Sequence, residues 1–134
     1  MSHRKLRMKE AVSLIIVNSR DEFLFLLRDD KPSIPFPNQW DFIGGIVEPG
    51  ETPDEALRRE VKEELALTLS DVVFYKKHSW PEKIEHVYKT HLDLDINSIF
   101  LTEGQKIQYF SRQEIKDLQL AFYDAIIMSN YFNK

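Results

Sequence analysis

The sequence predicts an α/β (α+β) fold, a mixed β-sheet packed between helices, in one domain that spans residues 1–134. Three observations predict this fold. Apolar, β-branched segments typical of strands lie on both sides of one strongly indicated central helix. Further helical sequence follows near the end of the chain. The length of 134 residues, with 43% hydrophobic and 30% charged residues, fits one globular domain with a buried core.

A β-hairpin and a constrained loop are predicted in the first part of the chain. Residues 11–17 read AVSLIIV, the composition of a buried strand. The turn-forming residues NSRD follow, and EFLFLL over residues 22–27 predicts the returning strand. Residues 31–38 contain three prolines, which exclude a helix or a central strand. They predict a loop that leads through WDFI at residues 40–43 to a pair of glycines.

The best-indicated helix begins after Thr52. Thr52 is a good N-cap, Pro53 occupies the first helical position, and Glu55 completes a capping box with Thr52. No helix-breaking residue follows before Leu65. The sequence therefore predicts a helix over residues 53–65.

More strands and two helices are predicted after this helix. Residues 72–78 and 85–94 form two strand-like stretches separated by a turn, and residues 106–110 predict a further short strand. Ser111 and Glu114 repeat the capping-box pattern and open a short helix that extends to about residue 118.

The closing helix is predicted over residues 121–132, with five apolar residues available to face a core. These residues are Ala121, Phe122, Ala125, Ile126 and Met128.

Composition and charge exclude several classes of function. The net charge of −4 provides no basic footprint for a long nucleic acid. The chain has no cysteine, which excludes disulfides, thiolate metal sites and cysteine nucleophiles, and fits the cytoplasm that we expect as its location. No apolar run approaches the roughly 20 residues that span a bilayer, so we expect no membrane partner. A negative protein that acts on phosphates needs cations to mediate the contact.

Three glutamates on the central helix indicate a metal site. Glu60, Glu63 and Glu64 are spaced i, i+3 and i+4, so their side chains fall within an arc of roughly 100° on one face. Like charges at this spacing repel one another. Magnesium would relieve the repulsion, because it prefers carboxylate oxygens, water and substrate phosphates as ligands.

The alternative interpretation is a solvated charged face that the neighbouring basic residues balance, which is what charge runs usually form. The surroundings of the glutamates favour the metal site instead. Glycines can permit a tight loop and the close approach of a ligand. Glu51 is near enough to form a structural pair with Arg59. The supporting residues are the apolar stripe Leu57, Val61 and Leu65 and the glycine pair Gly44 and Gly45.

Residues 45–67, GIVEPGETPDEALRREVKEELAL, resemble the Nudix signature G-x5-E-x7-R-E-U-x-E-E-x-G-U, where U is a bulky aliphatic residue. Ala66 alone departs from the pattern, where the family usually has glycine. A left-handed residue is common after a helix, and alanine there costs about 1 kcal/mol if that conformation is kept. The resemblance extends over nearly the whole chain. The positions that match are Gly45, Glu51, Arg59, Glu60, Val61, Glu63, Glu64 and Leu67.

The resemblance implies a Nudix-like α/β/α sandwich and a hydrolase in which water attacks phosphorus, assisted by divalent ions. Magnesium is the expected ion, with manganese as a substitute. Glu60 and Glu64 are the expected ligands, Glu63 shares a metal, and the Gly44 carbonyl is an extra ligand by similarity to the family. Glu103 is the candidate distal carboxylate, either metal ligand or general base. Outside the family context, Glu103 reads as an exposed turn residue.

The resemblance also implies a small-molecule nucleotide as substrate. A nucleoside triphosphate, oxidised or not, would give a monophosphate and pyrophosphate. The alternatives are a nucleotide sugar, ADP-ribose or a dinucleotide, or a non-catalytic nucleotide-binding module. Arg28 is a candidate phosphate contact or a surface partner of a neighbouring aspartate, and Phe36 and Trp80 are candidates for base stacking. A monomer and a homodimer both fit the sequence.

Overall fold

The computed structural model describes residues 8–133, so residues 1–7 and 134 of the predicted domain lie outside the described part. This part of the chain contains seven strands and three α-helices, and a short 3-10 helix lies at Ile96–Ser98. The strands are β1 (Lys9–Val17), β2 (Glu22–Leu27), β3 (Trp40–Asp41), β4 (Ile43–Ile46), β5 (Val73–Ser79), β6 (Lys83–His91) and β7 (Lys106–Ser111). The helices are α1 (Pro53–Leu65), α2 (Arg112–Ile115) and α3 (Asp124–Phe132).

Strand β1 is the centre of a mixed sheet. It runs parallel to β6 along its whole length, from Lys9 opposite Lys83 to Val17 opposite His91. It runs antiparallel to β4 and, at its end, to β2, as the predicted hairpin requires. Strand β2 continues the sheet to β3 and β7, and β5 pairs with the far edge of β6. The mixed sheet predicted from the sequence is confirmed.

Helices cover both faces of this sheet, because successive side chains of a strand point to opposite faces. Leu14 and its alternate neighbours on β1 pack against the apolar side of α1, which includes Leu57. Ile15 packs on the other face with Ile127 of α3. The continuous apolar run of β1 is therefore explained by burial on both faces, and the structure is the expected α/β/α sandwich.

Helix α1 has the predicted bounds and caps. The Thr52 hydroxyl accepts a hydrogen bond from the Glu55 N–H, and the Glu55 carboxylate accepts one from the Thr52 N–H. The helix ends at Leu65, and Ala66 follows in the left-handed conformation with φ 57° and ψ 33°. Ala66 thus occupies the backbone conformation that glycine adopts most easily.

The closing helix begins later than predicted. Phe122 has a left-handed backbone with φ 53°, so α3 begins only at Asp124. Phe122, Ala125 and Ile126 are exposed, and the prediction that they face the core was wrong. The buried face is formed by Asp124, Ile127, Met128 and Tyr131, spaced i, i+3, i+4 and i+7. Because this helix is apolar on several sides, its sequence did not distinguish the packed face.

Two other predicted elements are shorter in the structure. Strand β6 ends at His91 instead of residue 94, and α2 ends at Ile115, with turns in place of the predicted helix up to residue 118. Among the described helices, none has the length and apolar character that crossing a membrane requires.

Candidate active site

A cleft of about 510 Å³ opens where α1, β4, β6 and three loops meet. Among residues 8–133, seven acidic residues line it, together with three basic residues and the aromatic residues Phe42 and Phe122. The acidic residues are Asp29, Asp41, Glu60, Glu64, Glu85, Glu103 and Asp124, and the basic residues are Arg28, Lys31 and Lys83. The cleft therefore joins residues that are far apart in the sequence.

The two glycines of β4 leave the space that this wall of the cleft needs. A Cβ on Gly44 would lie 2.0 Å from the Val12 carbonyl oxygen of β1. A Cβ on Gly45 would lie 2.1 Å from Oε2 of Glu60, so the Glu60 carboxylate rests directly on the strand backbone. The sequence indicated a tight loop at these glycines, but both lie in strand β4 and neither has a positive φ. Close approach is what excludes a side chain at these positions.

Glu60 and Glu64, one turn apart on α1, both line the cleft. Within residues 8–133, the Oε2 atom of Glu64 is buried and has no hydrogen-bond partner. Burial, followed by the nearby negative charge of Glu60, raises the pKa of Glu64 to about 8. Burial also raises the pKa of Glu60, although hydrogen bonding to Arg59 partly offsets it. The carboxylates of Glu60 and Glu64 therefore lie side by side, and the nearby positive charge is too small to neutralise both.

Arg59 connects the loop before α1 to the carboxylates of the helix. Its Nε and Nη2 donate to the two carboxylate oxygens of Glu51 at 2.7 and 3.0 Å. Its Nη1 donates to Oε1 of Glu60 at 2.8 Å and to Oε1 of Glu63 at 3.1 Å. The pairing of Glu51 with Arg59 thus lies where the sequence placed it. Glu63 does not line the cleft, and its side chain is 52% exposed beside Arg59.

The remaining predicted carboxylate, Glu103, reaches the cleft from the loop before β7. Gly104 in this loop has φ 82° and packs so close to Leu26 that a Cβ would lie 2.6 Å from a methyl carbon. The Gln105 side chain donates to the Arg28 carbonyl oxygen at 2.8 Å. These contacts hold the loop against the end of β2, and the charge of Glu103 contributes to the raised pKa values of Glu60 and Glu64.

The chemistry of these donors fits a hard divalent cation. Carboxylate oxygens are the ligands that Mg²⁺ prefers, and a buried carboxylate oxygen without a partner is costly unless a cation or a proton satisfies it. In the described part of the chain, no three histidine, aspartate or glutamate side chains converge closely enough to enclose an ion by themselves.

Arg28 lies on the wall of the cleft that is opposite Glu60 and Glu64 of α1. Its Nη1 donates to Oδ2 of Asp41 at 3.0 Å, and its Nε donates to the Pro35 carbonyl oxygen at 3.0 Å. The sequence offered a neighbouring aspartate as a possible partner of Arg28, but the ion pair is made with Asp41 of β3. The guanidinium also lies 5.0 Å from the centre of the Phe122 ring. Arg28 is therefore held in one orientation at the cleft.

The two aromatic residues selected from the sequence lie outside the cleft lining. Trp80 is stacked between the His78 ring at 5.0 Å and the Tyr123 ring at 4.1 Å, so both of its faces are covered. Phe36 packs on Phe122 with ring centres 4.6 Å apart.

Two aromatic residues among residues 8–133 line the cleft, Phe42, which is buried, and Phe122, which is 37% exposed. Phe122 was not predicted to reach the cleft, because the sequence assigned this residue to the closing helix. The positive φ at Phe122 is the conformation that presents this ring, and no sequence signal predicted it.

Comparisons of this chain with known proteins, by sequence and by structure, point to the same family. The model of the NUDIX domain matches residues 7–131. The nucleoside triphosphatase NudI of Enterobacter sp. (strain 638) is 32% identical, over 86% of this chain and 90% of that protein. Nudix hydrolase 19, chloroplastic, of Arabidopsis thaliana is 28% identical over 82% of this chain, but the match spans only 26% of that longer protein. The crystal structure of the MutT protein from Methanosarcina mazei Go1 superposes with a TM-score of 0.72 and 28% identity, covering 97% of this chain and 99% of the other.

Proposed function

The chain belongs to the Nudix family of hydrolases, and on that premise we propose that it hydrolyses nucleoside triphosphates in a Mg²⁺-dependent reaction. The products are a nucleoside monophosphate and pyrophosphate. In this proposal residues 1–134 act as one catalytic domain in the cytoplasm. The observation that carries the proposal is the buried Glu64 carboxylate, which lies beside Glu60 without a neutralising partner. A cation bound there neutralises both groups and attracts the triphosphate to an otherwise acidic cleft.

Glu60 and Glu64 are the principal metal ligands in this proposal, and the Gly44 carbonyl adds a third donor from β4. Glu63 is assigned a lesser share of a metal, because Arg59 already holds its carboxylate outside the cleft. Bound Mg²⁺, or Mn²⁺ as a substitute, supplies charge neutralisation and lowers the pKa of an attacking water.

The protein's own groups position the other reactants. Glu103 faces α1 across the cleft, where it accepts the proton of the attacking water or contributes a further metal ligand. Arg59 holds Glu60 in place, because it is anchored to Glu51 from the preceding loop. A carboxylate that is fixed before the reaction needs little reorganisation as charge develops on the phosphoryl oxygens.

The opposite wall binds the remainder of the nucleotide. Arg28 donates to a phosphate from its remaining N–H groups, since Nε and Nη1 are held by Pro35 and Asp41. The base packs against the part of the Phe122 ring that is exposed, beside Phe36 and the Lys83 ammonium, which lie 4.6 Å from the ring centre. This assignment replaces Trp80, whose two faces are already covered by other rings.

A nucleotide panel tests the proposal. Ribo- and deoxyribonucleoside triphosphates, an oxidised guanine triphosphate, nucleotide sugars, ADP-ribose and dinucleotides are incubated with the protein and Mg²⁺, and the products are identified. We expect monophosphate and pyrophosphate from the triphosphates, and no products when a chelator replaces the metal. Turnover only of the sugar or dinucleotide conjugates would reject the triphosphate assignment. Tight nucleotide binding without turnover of any compound would show a binding module instead of an enzyme.

A further inference from the structure

Lys83 is a cation of the cleft to which the reaction proposed above assigns no role. Its ammonium lies 4.6 Å from the centre of the Phe122 ring and 3.9 Å from Oε1 of Glu85. The side chain is part of the cleft lining and is only 15% exposed. A lysine on an open surface extends its ammonium into water, so this burial indicates that the cation is held at one place in the cleft.

The backbone at Lys83 is fixed by the turn that joins β5 to β6. The Trp80 N–H donates to the Lys83 carbonyl oxygen at 2.8 Å, which closes this turn. Lys83 is the first residue of β6 and pairs with Lys9 of β1. The side chain therefore extends from a paired strand of the sheet and not from a free loop.

Glu85 attracts the Lys83 ammonium and is itself fixed by two donors. Its Oε1 accepts a hydrogen bond from the Trp80 indole N–H at 2.8 Å, and its Oε2 accepts one from the Ser13 hydroxyl. The Glu85 side chain is 3% exposed. Because each of its oxygens already accepts from the protein, Glu85 serves as a fixed negative charge for Lys83. Trp80, which the sequence offered for base stacking, contributes here through its indole N–H instead.

The Lys83 ammonium still has hydrogen atoms to donate to a ligand. Its separation of 3.9 Å from the Glu85 oxygen is an ion-pair distance and is too long for a hydrogen bond. Its contact with Phe122 is made to an aromatic ring and not to an acceptor atom. An ammonium carries three N–H donors and no acceptor. It therefore binds an oxygen of a ligand and disfavours an amino group at the same position.

Lys83 lies on the face of the sheet that is opposite helix α1. Successive side chains of β6 alternate between the two faces, so Lys83 shares a face with Val87. Val87 packs in the cluster that includes Ile127 of α3, whereas Tyr88 packs in the cluster of α1. The proposed metal ligands belong to α1. Lys83 is therefore at the Phe122 end of the cleft, where the nucleoside and not the metal-bound phosphates is placed.

We propose that Lys83 determines base specificity by donating a hydrogen bond to a carbonyl oxygen of the base that packs against Phe122. The substrates selected are nucleoside triphosphates with an oxo group on this edge of the base, which are those of guanine, hypoxanthine, uracil and thymine. Adenine and cytosine present an amino group at the corresponding position, and an amino group donates where Lys83 needs an acceptor. The inference rests on the proposed function for the placement of the base beside Phe122.

Binding of paired triphosphate analogues tests the role of Lys83 without turnover. In each analogue a methylene group replaces the oxygen between the α- and β-phosphorus atoms, and calorimetry with the full chain in Mg²⁺ measures Kd. The pairs are inosine with adenosine and uridine with cytidine, which differ at the oxo or amino position. We expect the wild type to bind the oxo member about tenfold more tightly, as one hydrogen bond to a charged group requires. Lys83→Met should lose this preference, because it weakens binding of the oxo member alone.

Two further variants separate the donor of Lys83 from general effects of the substitution. Lys106→Met removes a lysine that also lies over an aromatic ring, 5.8 Å from the centre of Trp40, but outside the cleft lining. It should keep the wild-type preference. Lys83→Arg retains N–H donors and the positive charge, and it should still favour the oxo members. The wild-type pairs test the proposal even if Lys83→Met does not fold.

The binding constants also identify the results that would overturn the proposal. Equal weakening of both members of each pair in Lys83→Met would show that Lys83 binds phosphate, which all four analogues share. A wild type that binds the members of each pair equally, or prefers the amino members, would overturn it as well. Failure of the wild type to hydrolyse any triphosphate is a separate result: it rejects the proposed function, and the preference among the analogues still decides the role of Lys83.

Discussion

The wall of the cleft formed by α1 and the wall opposite to it differ in how their charged side chains are neutralised. On α1, Glu60 and Glu64 lie side by side, and Arg59 neutralises only Glu60. On the opposite wall, Arg28 and Asp41 are paired within the protein. From this difference we expect that the first wall depends on the cation proposed above, whereas the second is already organised by its own ion pair before a ligand arrives. Substitutions on the first wall should therefore affect catalysis, and substitutions on the second should affect binding.

Removal of the Glu64 charge should have the largest effect. Glu64→Gln keeps the shape of the side chain but removes a carboxylate that we propose binds the metal, so kcat/KM should fall on the order of a thousandfold, corresponding to several kcal/mol of lost charge stabilisation. Steady-state hydrolysis of a nucleoside triphosphate in Mg²⁺ measures this. Glu63→Gln, one residue earlier on the same helix, is the matched comparison and should lose less, because Glu63 lies outside the cleft lining. Equal losses in the two variants would contradict the distinction between them.

The same variant should be more stable than the wild type when no metal is present. The pKa of Glu64 is raised from 4.5 to about 8, so the folded protein favours the protonated form. Stability is then lost as pH rises from the unfolded value of 4.5 towards 8, where the wild type must bury a charge and the glutamine variant does not. Denaturant titrations in a chelator should show a stability difference that grows across this range. A constant difference would show that Glu64 does not titrate as described.

A methyl group on β4 should displace Glu60. In Gly45→Ala the new Cβ would lie 2.1 Å from the Glu60 carboxylate oxygen, so that carboxylate must move. Because a displacement of about 1 Å in a reacting group can cost roughly 100-fold, we expect a loss of activity of that order with little loss of stability. Gly50→Ala is the control: a Cβ there meets nothing within 4 Å, but its φ of 86° is strained for alanine. The control should lose about 1 kcal/mol of stability and keep its activity.

On the opposite wall, Phe122→Gly should weaken binding of the nucleotide. Loss of the stacking ring should raise KM about tenfold, and kcat should change less, because this wall does not hold the metal. Glycine also relieves the positive φ of 53° at this position, which offsets part of the packing lost against Phe36. Phe100→Gly, a phenylalanine that is 87% exposed and lies outside the cleft lining, should leave KM unchanged. A fall in kcat without a change in KM would show that Phe122 affects the catalytic step, and would contradict the division between a catalytic wall and a binding wall.

The smallest effect is expected at the end of α1, behind the carboxylates. Ala66 has φ 57°, and glycine adopts this conformation without the steric cost of a Cβ. Ala66→Gly should therefore raise the free energy of unfolding by up to about 1 kcal/mol and leave kcat/KM unchanged. Thermal unfolding measures the first quantity. Destabilisation would mean that the Ala66 methyl group contributes more through packing than it costs through strain.

Most of the catalytic wall was predictable because its residues are close together in the sequence. Helical periodicity places Glu60 and Glu64 on one face, and the capping box of Thr52 and Glu55 defines where α1 begins. The pairing of Glu51 with Arg59 also spans only a loop and two helical turns. The exception is Glu63, which the same periodicity includes but which the packing of α1 leaves outside the cleft lining.

The opposite wall depends on contacts that the sequence does not show, and the cause differs from residue to residue. Arg28 lines the cleft, but its partner Asp41 is 13 residues away, and Asp124 is 82 residues from the Phe42 N–H that it accepts from. Trp80 was selected for its position in a loop, yet the folded chain covers both of its faces. Phe122 was assigned to a helix because a single positive φ leaves no periodic pattern in the sequence.

The sequence by itself determined the mixed sheet, the capped central helix and the signature that places this chain among the Nudix hydrolases, because each of these depends on the order of neighbouring residues. Only the tertiary structure decided which carboxylates line the cleft, which exposed aromatic ring reaches it and which acid is buried at the start of α3. Those features depend on contacts between elements that are distant in the chain, and on burial, which changes the charge that a side chain carries. The hydrophobic periodicity of the sequence predicts neither the contacts between distant elements nor the burial of a charged side chain.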